Sequence, residues 1–311
     1  MKAVGARVQS LLRSLREKLR WHVNEFLIRR PALLARMGWT LTVVDAFGSP
    51  GDTLLTATVC RELKKRHPKL RLNCVTPNPS LLVLDPNIDS LNERRTLGRL
   101  RFWYLELLER KDSATNVLKS TMDVVGIRQY DYRAQVYLSS SELESARQRL
   151  EGLRRPIITI NVASREKVKG WPLDNWRKLV GEISDGASVV QIGDDREPLL
   201  SGVMRLAGTL SMRESMAVLA QADLHIGPDS FLMHAANGVN TPAVIIYGGS
   251  RPPGCLGYAQ NVNLAVQIEC SPCWIHDSKG GKCPHDIKCM DMITPEKVLE
   301  AVESKLGVCQ T

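Results

Sequence analysis

The sequence predicts an α/β protein with two doubly wound, Rossmann-like parallel sheets that face a central cleft, preceded by an amphipathic helical extension. Short apolar, β-branched runs alternate with helical stretches in both halves of the chain, which is typical of parallel sheets covered by helices. A basic, periodically apolar N-terminal segment predicts the extension. The predicted strands lie at 40–46, 72–75, 156–162, 188–192, 224–226 and 243–247, and the predicted helices near 53–66, 96–125, 142–150, 173–184, 213–221 and 230–237.

Length and the break in this pattern predict two domains. The chain has 311 residues, enough for two cores of ordinary size. A new strand–helix series opens close to residue 156. We therefore predict an extension over 1–38, a first domain over 39–152 and a second domain over 153–311 that includes a cysteine cluster at 270–289.

Composition excludes several classes of protein. Apolar residues make up 43% of the chain and charged residues 24%, which excludes wholesale disorder. No run of about 18 apolar residues is present, so no transmembrane helix is predicted. The N-terminus also lacks the apolar core of a secretory signal. We expect a cytosolic protein whose eight cysteines are thiols or metal ligands.

The positive charge is concentrated in the N-terminal segment. Residues 1–36 contain nine Lys or Arg and two Glu, whereas the remaining 275 residues carry a net charge of only +2. Such a helix either packs on the protein's own core or lies in an anionic membrane surface, and its basic flanks favour the membrane. The apolar positions with helical spacing are Val4, Val8, Leu11, Leu12, Leu15, Leu19, Val23 and Phe26.

A glycine turn follows the first predicted strand. Gly48 and Gly51 precede Asp52 at the start of a helix, and carboxyl ends of parallel strands are where ligands of such folds bind. Asp52 has two interpretations. It is either a helix N-cap, for which Asp is common, or a carboxylate that faces the cleft. The dinucleotide-binding G-x-G-x-x-G pattern is absent.

Two loops of the second half carry further candidates. The basic loop around Lys169 follows the strand at 156–162 and is either a phosphate-binding loop or a solvated surface loop. Asp229 and Ser230 begin the helix after the strand at 224–226, and His234 lies about one turn further on. The N-terminus of that helix could hold a diphosphate.

The cysteine cluster has the spacing Cys270-x2-Cys273-x9-Cys283-x5-Cys289. Four thiolates suit a tetrahedral Zn²⁺ or an iron site, and four protein ligands would leave no open position for catalysis. The cluster is therefore a structural metal site, a group of free thiols or a pair of disulfides.

Together these motifs resemble those of the bacterial heptosyltransferases, the family-nine glycosyltransferases of GT-B fold, over about residues 40–306. The resemblance rests on the turn Phe47-Gly48-Ser49-Pro50-Gly51-Asp52-Thr53-Leu54-Leu55, on Lys169-Gly170-Trp171-Pro172, and on the stretch from Leu219 to Pro242.

The resemblance implies roles for individual residues. Asp52 would be the general base, Lys169 would contact the donor phosphates, and Glu197 would bind the donor ribose. The donor-binding loop would contain Asp229, Ser230 and His234. Phe231 departs from the family pattern, because glycine usually stands there.

The resemblance thus implies an inverting glycosyltransferase that needs no catalytic metal. We expect it to move a sugar, with heptose as the expected sugar and ADP-heptose as the expected nucleotide-diphosphate donor, to a cell-surface glycan or a lipid-linked acceptor of lipopolysaccharide or capsule. Its expected place is the inner face of the cytoplasmic membrane, held through residues 1–36. Phe231 makes a non-catalytic membrane scaffold conceivable, although Asp52 and Lys169 argue against one. A metal-containing nucleic-acid-binding protein is disfavoured by the nearly neutral body.

Overall fold

The computed structural model describes residues 2–275 and 281–307, and the side chains of residues 2–14 and of Leu108 lie outside that description. The strands are β1 (Thr40–Asp45), β2 (Arg71–Val75), β3 (Ser90–Leu91), β4 (Arg99–Phe102), β5 (Ile157–Ile160), β6 (Ser188–Gln191), β7 (Met204–Arg205), β8 (Leu224–Pro228), β9 (Ala243–Tyr247) and β10 (Val262–Ala265). The helices are α1 (Lys2–Ile28), α2 (Pro31–Arg36), α3 (Pro50–Arg66), α4 (Leu105–Glu109), α5 (Lys119–Val124), α6 (Ser140–Arg149), α7 (Leu173–Ser184), α8 (Met212–Gln221), α9 (Phe231–Gly238), α10 (Pro253–Leu256), α11 (Lys288–Asp291) and α12 (Pro295–Leu306).

Both sheets are parallel, and each has a topological switch point. The first sheet has the order β3-β2-β1-β4. The strands β2 and β3 are added on one side of β1 and β4 on its other side, so the switch point lies between β1 and β4. The second has the order β10-β9-β8-β5-β6-β7, which is the 3-2-1-4-5-6 order of doubly wound dinucleotide-binding folds. Its switch point lies between β5 and β8. This arrangement confirms the predicted fold class.

Helix α3 packs between the two sheets. Every residue from Gly51 to Leu63 is buried, because one side of the helix covers β1 and β2 and another contacts α9 of the second sheet. Its buried hydroxyl groups are satisfied within the helix: Thr56 donates to the carbonyl of Asp52 at 2.8 Å and Thr58 to that of Leu54 at 3.0 Å. A mostly polar sequence can therefore be buried here.

The prediction that residues 96–125 are mainly helical is wrong. This stretch contains β4, which pairs with the central strand β1, and the helices α4 and α5 follow it. The strand is only four residues long, Arg99-Leu100-Arg101-Phe102, and an alternation of polar and apolar residues this short does not distinguish a strand from part of a helix. The short edge strands β3, β7 and β10 also escaped prediction.

The described side chains of α1 do not support packing of this helix on the core over most of its length. Leu15, Leu19 and Phe26 are 54%, 65% and 48% exposed. Only the last turn is anchored, where Leu27 and Ile28 are buried and Asn24 exchanges two hydrogen bonds with the backbone of Arg99. Across the described residues, no helix combines the length and hydropathy that a bilayer-crossing segment requires.

We predict that the extension can be removed up to residue 22 but not up to residue 36. Leu27, Ile28 and Leu34 belong to the hydrophobic core that covers the first sheet and extends to α8 and α9, called here the first core. Truncating one such side chain costs about 3 kcal/mol of unfolding free energy. Thermal unfolding should therefore show a nearly unchanged Tm for a chain lacking residues 1–22 and a clearly lower Tm for one lacking 1–36. Equal melting temperatures would contradict the anchoring role of these residues.

Candidate active site

A single cleft of about 660 Å³ gathers the loops at the carboxyl ends of both sheets. It contains every predicted site residue except Gly48 and the cysteines. From the first sheet it is lined by Gly51, Asp52 and neighbouring residues, and from the second by Lys169, Glu197, Asp229, Ser230, Phe231 and His234. The switch points of two sheets therefore meet at one site, as expected for ligand binding in such folds.

Asp52 occupies the first turn of α3 but does not cap it. The N-cap is Ser49, whose hydroxyl accepts a hydrogen bond from the backbone N–H of Asp52 at 3.2 Å and donates one to Asp52 Oδ2 at 2.6 Å. The hydroxyl of Tyr104 donates to Oδ1 at 2.7 Å. The capping interpretation of Asp52 is thus wrong, and its carboxylate is held in one orientation at the cleft.

The environment of Asp52 favours the protonated form of its carboxyl group more than exposure to water would. The carboxyl group is buried, and this desolvation raises its pKa above the ordinary value, although the hydrogen bonds from Ser49 and Tyr104 act in the opposite direction. A carboxylate with a raised pKa in a cleft has the property expected of a general base.

Four charged side chains form a buried ion cluster on the other side of the cleft. Lys169 Nζ lies 2.9 Å from Asp229 Oδ2 and 3.4 Å from Glu166 Oε2. Arg251 Nη2 lies 3.3 Å from the same oxygen of Glu166. Burial disfavours the ionised form of Asp229, but the charges of Lys169 and Arg251 prevail and lower its pKa. The four groups therefore neutralise one another in the unliganded cleft.

The N-terminus of α9 opens into the same cleft. Ser230 is its N-cap, but the Ser230 side chain makes no capping bond, and its buried hydroxyl oxygen has no hydrogen-bond partner among the described residues. The first backbone N–H groups of a helix have no partner within the helix and attract anions. Phe231, the first helical residue, is half-buried, packs against the first core and lines the cleft.

His234 is a neutral, buried residue that contacts the first sheet's half of the molecule. Its Nδ1 lies 2.7 Å from the hydroxyl of Tyr258, and burial lowers its pKa to about 4. A Cβ at position 51 would lie 2.8 Å from Cδ2 of His234, so the ring fits because Gly51 has no side chain. Gly48 has a φ of +76°, which the turn before α3 requires and which glycine adopts without strain.

Glu197 is buried at the edge of the cleft, where it holds the end of β5. Its two carboxylate oxygens accept hydrogen bonds from the backbone N–H groups of Val162 and Ala163 at 2.8 and 3.0 Å. Burial nevertheless raises its pKa. These hydrogen bonds to the backbone fix the start of the loop that leads from β5 to Lys169.

The cysteine cluster lies beside the loop that carries Arg251. Cys289 Sγ accepts a hydrogen bond from the backbone N–H of Gly249 at 3.1 Å, and the N–H of Cys273 donates to the carbonyl of Gly249 at 2.7 Å. Cys270, Cys273, Cys283 and Cys289 are free thiols of intermediate exposure. Among the described residues, which exclude 276–280, no three His, Cys, Asp or Glu side chains are arranged to hold a metal ion.

Two residues of the site were missed by sequence reasoning. Tyr104 follows β4, a strand hidden in the stretch predicted as helix. Arg251 follows β9 by four residues, and its position at the carboxyl end of a parallel strand was the available signal. Neither lies in a motif of the resemblance, so only the folded chain brings them to Asp52 and Asp229.

The comparisons with known proteins identify the family. The family model for glycosyltransferase family 9 (heptosyltransferase) matches residues 110–283, more than half of the chain. The protein therefore belongs to glycosyltransferase family 9 and is a glycosyltransferase. No curated protein gave a significant sequence match.

Solved structures support the same fold. A family 9 glycosyltransferase from Veillonella parvula DSM 2008 is 16% identical, with 87% of this chain and 98% of that chain covered at a TM-score of 0.67. The ADP-heptose lps heptosyltransferase II of E. coli is 18% identical, with 86% and 98% covered at 0.66. The iron-containing dodecameric glycosyltransferase TibC from enterotoxigenic E. coli H10407 is 19% identical, with 86% and 76% covered at 0.68.

We predict that Lys169→Ala weakens both ADP binding and the fold. Loss of a charged phosphate contact should lower ADP affinity about 10- to 100-fold. The change also removes the cation that pairs with both buried carboxylates, Asp229 and Glu166, which costs about 3 kcal/mol of unfolding free energy. Calorimetry with ADP and chemical denaturation measure the two effects, and Lys178→Ala, at an exposed position on α7, is the control.

The stability effect should depend on pH. In the wild type the pKa of Asp229 is lowered, so its ionised form stabilises the fold above the ordinary pKa of about 4 and this contribution is lost as the pH falls through the lowered value. Without Lys169, less positive charge opposes the effect of burial, so the pKa of Asp229 should rise. The stability gap between wild type and variant should therefore narrow as the pH falls toward 4 and close only below the lowered pKa of Asp229 in the wild type. A gap that stays constant would contradict the ion cluster.

Proposed function

We propose that the protein is an inverting, metal-independent glycosyltransferase that moves heptose from ADP-heptose to a cell-surface glycan or lipid-linked acceptor. The observation that carries this proposal is the position of the Asp52 carboxylate, with its raised pKa, across one cleft from Lys169, Arg251 and the N-terminus of α9. The known relatives support the donor: a TibC structure is described in complex with ADP-D-β-D-heptose, and the E. coli enzyme is named for ADP-heptose.

Asp52 would act as the general base. It takes the proton from the acceptor hydroxyl as the acceptor oxygen attacks the anomeric carbon from the face opposite the diphosphate, which inverts the anomeric configuration. Ser49 and Tyr104 hold the two carboxylate oxygens, and each oxygen keeps a further lone pair for the substrate. General-base catalysis of this kind contributes roughly 100- to 10,000-fold in rate.

The departing ADP gains negative charge, and the ion cluster can stabilise it. Lys169 and Arg251 supply two buried cations, and the first turn of α9 supplies backbone N–H groups. These groups are fixed before the reaction, so they would stabilise the negative charge of the departing diphosphate without a divalent ion. The binding of a diphosphate would replace the pairing of the two cations with Asp229 and Glu166.

The remaining residues would shape the donor pocket. We assign the ribose to Glu197, the diphosphate to the turn at Asp229 and Ser230, and the heptose to the neighbourhood of Phe231. Ser230 supports this assignment because its buried hydroxyl has no partner among the described residues. His234 would remain neutral and hold the base of the pocket against Gly51.

These assignments give the two halves of the chain different roles. We propose an acceptor-side domain over 39–152, which carries Asp52, and a donor domain over 153–311, which carries the ion cluster. The N-terminal extension would hold the enzyme at the inner face of the cytoplasmic membrane, where a lipopolysaccharide or capsule precursor is accessible. The exposed Leu15, Leu19 and Phe26 among basic residues support this.

We predict that Asp52→Asn lowers kcat at least 100-fold while ADP affinity changes by less than about twofold, because only the base is lost. Transfer from ADP-, GDP-, UDP- and CDP-sugars is measured alongside binding, and Asp185→Asn, at an exposed position, is the control. An active Asp52→Asn enzyme would remove Asp52 from the chemistry, and a donor other than an ADP-sugar would refute the donor assignment alone.

We predict that Tyr104→Phe shifts the acidic limb of the pH–rate profile to higher pH. Tyr104 donates a hydrogen bond that favours the ionised form of Asp52, so its removal raises the pKa of Asp52 further. The base acts only when deprotonated, and activity is therefore lost at a higher pH than in the wild type. A reduced rate with an unshifted limb would assign Tyr104 a purely structural role.

We also propose that the cysteine cluster holds one structural Zn or Fe ion. Burial raises the pKa of the Cys273 thiol, and the proximity of Cys283 and Cys289 raises it further, so three of the four thiols lie near one another. The N–H of Gly249 donates a hydrogen bond to Cys289 Sγ, as outer-shell groups do to metal ligands. The described side chains do not form a closed ligand set, so closure around a metal would require rearrangement of this segment.

Elemental analysis of the purified protein should find about one metal ion per chain. Chelation should lower the Tm, because a structural metal stabilises only the folded state. Cys273→Ser should lower both the metal content and the Tm. Cys255→Ser, at a buried thiol outside the cluster, should leave the metal content unchanged. Four freely titrating thiols in a metal-free protein of unaltered Tm would refute this proposal.

A further inference from the structure

A second pocket lies at the opposite end of the first sheet from the cleft. It has a volume of about 460 Å³ and is formed where β1 and β2 begin, since its lining includes Thr40, Arg71 and Gly98. Thr40 and Arg71 are paired in the sheet register, so the pocket opens at the amino-terminal edge of the strands. No motif or predicted site residue accounts for it.

The chemistry of this pocket suits a phosphate group with an apolar attachment. Its walls include Arg71, Arg94 and Arg95. Arg95 pairs with Glu93 at 2.7 Å, whereas Arg71 and Arg94 are exposed and form no ion pair with any carboxylate in the described part of the chain. Guanidinium groups bind phosphate oxygens through paired hydrogen bonds.

Apolar side chains surround these cations. Trp39 and Leu97 line the pocket and are 48% and 40% exposed, and the adjacent Met37 is 47% exposed. Exposed tryptophan beside basic residues is typical of a membrane interface, where the ring lies at the level of the headgroups. A soluble phosphate ester would gain nothing from this apolar rim.

The pocket is continuous with the exposed stripe of α1. Leu27, which follows the exposed Phe26, forms part of the pocket wall. The two hydrogen bonds between Asn24 and Arg99 fix the end of α1 beside Gly98 of the same pocket. The stripe and the pocket are therefore held in a fixed relation and can contact one surface together.

The charge of this region argues for a bilayer over a second copy of the chain. Its exposed basic side chains outnumber its acids, and two of those acids are already paired, Glu25 with Arg29 at 2.6 Å and Glu93 with Arg95 at 2.7 Å. Two such faces would repel each other, whereas anionic lipid would attract both. Among the described side chains of α1, α2 and the turn between them, the exposed basic residues are Arg16, Lys18, Arg20, Arg29, Arg30 and Arg36.

We propose that the pocket between Trp39, Arg71 and Arg94 binds the headgroup phosphate of an anionic phospholipid, and that the pocket and α1 form one membrane-docking face. This rests on the proposed membrane association but adds a defined lipid site on the body of the enzyme. The bilayer then contacts the amino-terminal edge of the first sheet.

The test is co-sedimentation of the full chain with vesicles of phosphatidylglycerol and phosphatidylcholine, compared with vesicles of phosphatidylcholine alone. Arg71→Ala with Arg94→Ala should weaken binding to the anionic vesicles by roughly tenfold or more. Arg177→Ala with Lys178→Ala removes the same charge from exposed positions on α7 and should change binding by less than about twofold. An unaltered Tm and ADP affinity show that each double variant is folded.

Contact at Trp39 gives an independent measurement. Brominated anionic lipid should quench part of the tryptophan fluorescence of Trp21→Phe, which lacks the exposed tryptophan of α1, and the additional change Trp39→Phe should remove that part. Binding by the wild type that both double variants weaken equally would overturn the lipid site and leave membrane association intact. No vesicle binding by the wild type would overturn both proposals.

Two further outcomes would identify another occupant. Saturable binding of glycerol phosphate at the pocket without vesicle binding would mean that a free phosphate ester is the ligand. Self-association measured by sedimentation velocity and lost in Arg71→Ala with Arg94→Ala would mean that a second copy covers this face. Either result would overturn the lipid proposal.

Discussion

The contact between Gly51 and His234 determines how the two halves of the enzyme meet. The first turns of α3 and α9 can approach because position 51 has no Cβ, which would otherwise lie 2.8 Å from the imidazole. This approach brings Asp52 of one sheet and the Asp229 turn of the other into a single cleft. The Asp52 carboxylate and the N-terminus of α9 thus face the same cleft.

The second constraint is the charge balance of the cleft. Two cations and two carboxylates are buried together, and neither pair could be buried alone without a large desolvation penalty. In the proposed mechanism, an incoming diphosphate would compete with Asp229 and Glu166 for Lys169 and Arg251. The two carboxylates thus keep both cations buried and in place before any ligand arrives.

Much of this site could be predicted from sequence, because the relevant signals are local. Asp52, Lys169 and Asp229 each follow an apolar strand within a short loop, and the cleft contains all three. Tyr104 and Arg251 could not be found in this way. Tyr104 follows a strand of four residues, which is too short for its alternating pattern to identify it, and the role of Arg251 depends on Glu166, 85 residues away in the chain.

For the N-terminal extension, the sequence predicts the helix but not what its apolar side contacts. Its periodicity predicts a helix with an apolar stripe, and the structure has that helix, but the same pattern fits a helix packed on its own core. Only the exposure of Leu15, Leu19 and Phe26 separates the alternatives. Since α1 is anchored at the edge of the first sheet away from the cleft, β1 alone separates the two regions by about 20 Å. Under the proposed docking, an acceptor anchored in a bilayer at that edge would have to extend at least this far to present its hydroxyl to Asp52, so the proposal favours a preassembled glycan over a bare lipid headgroup as the acceptor.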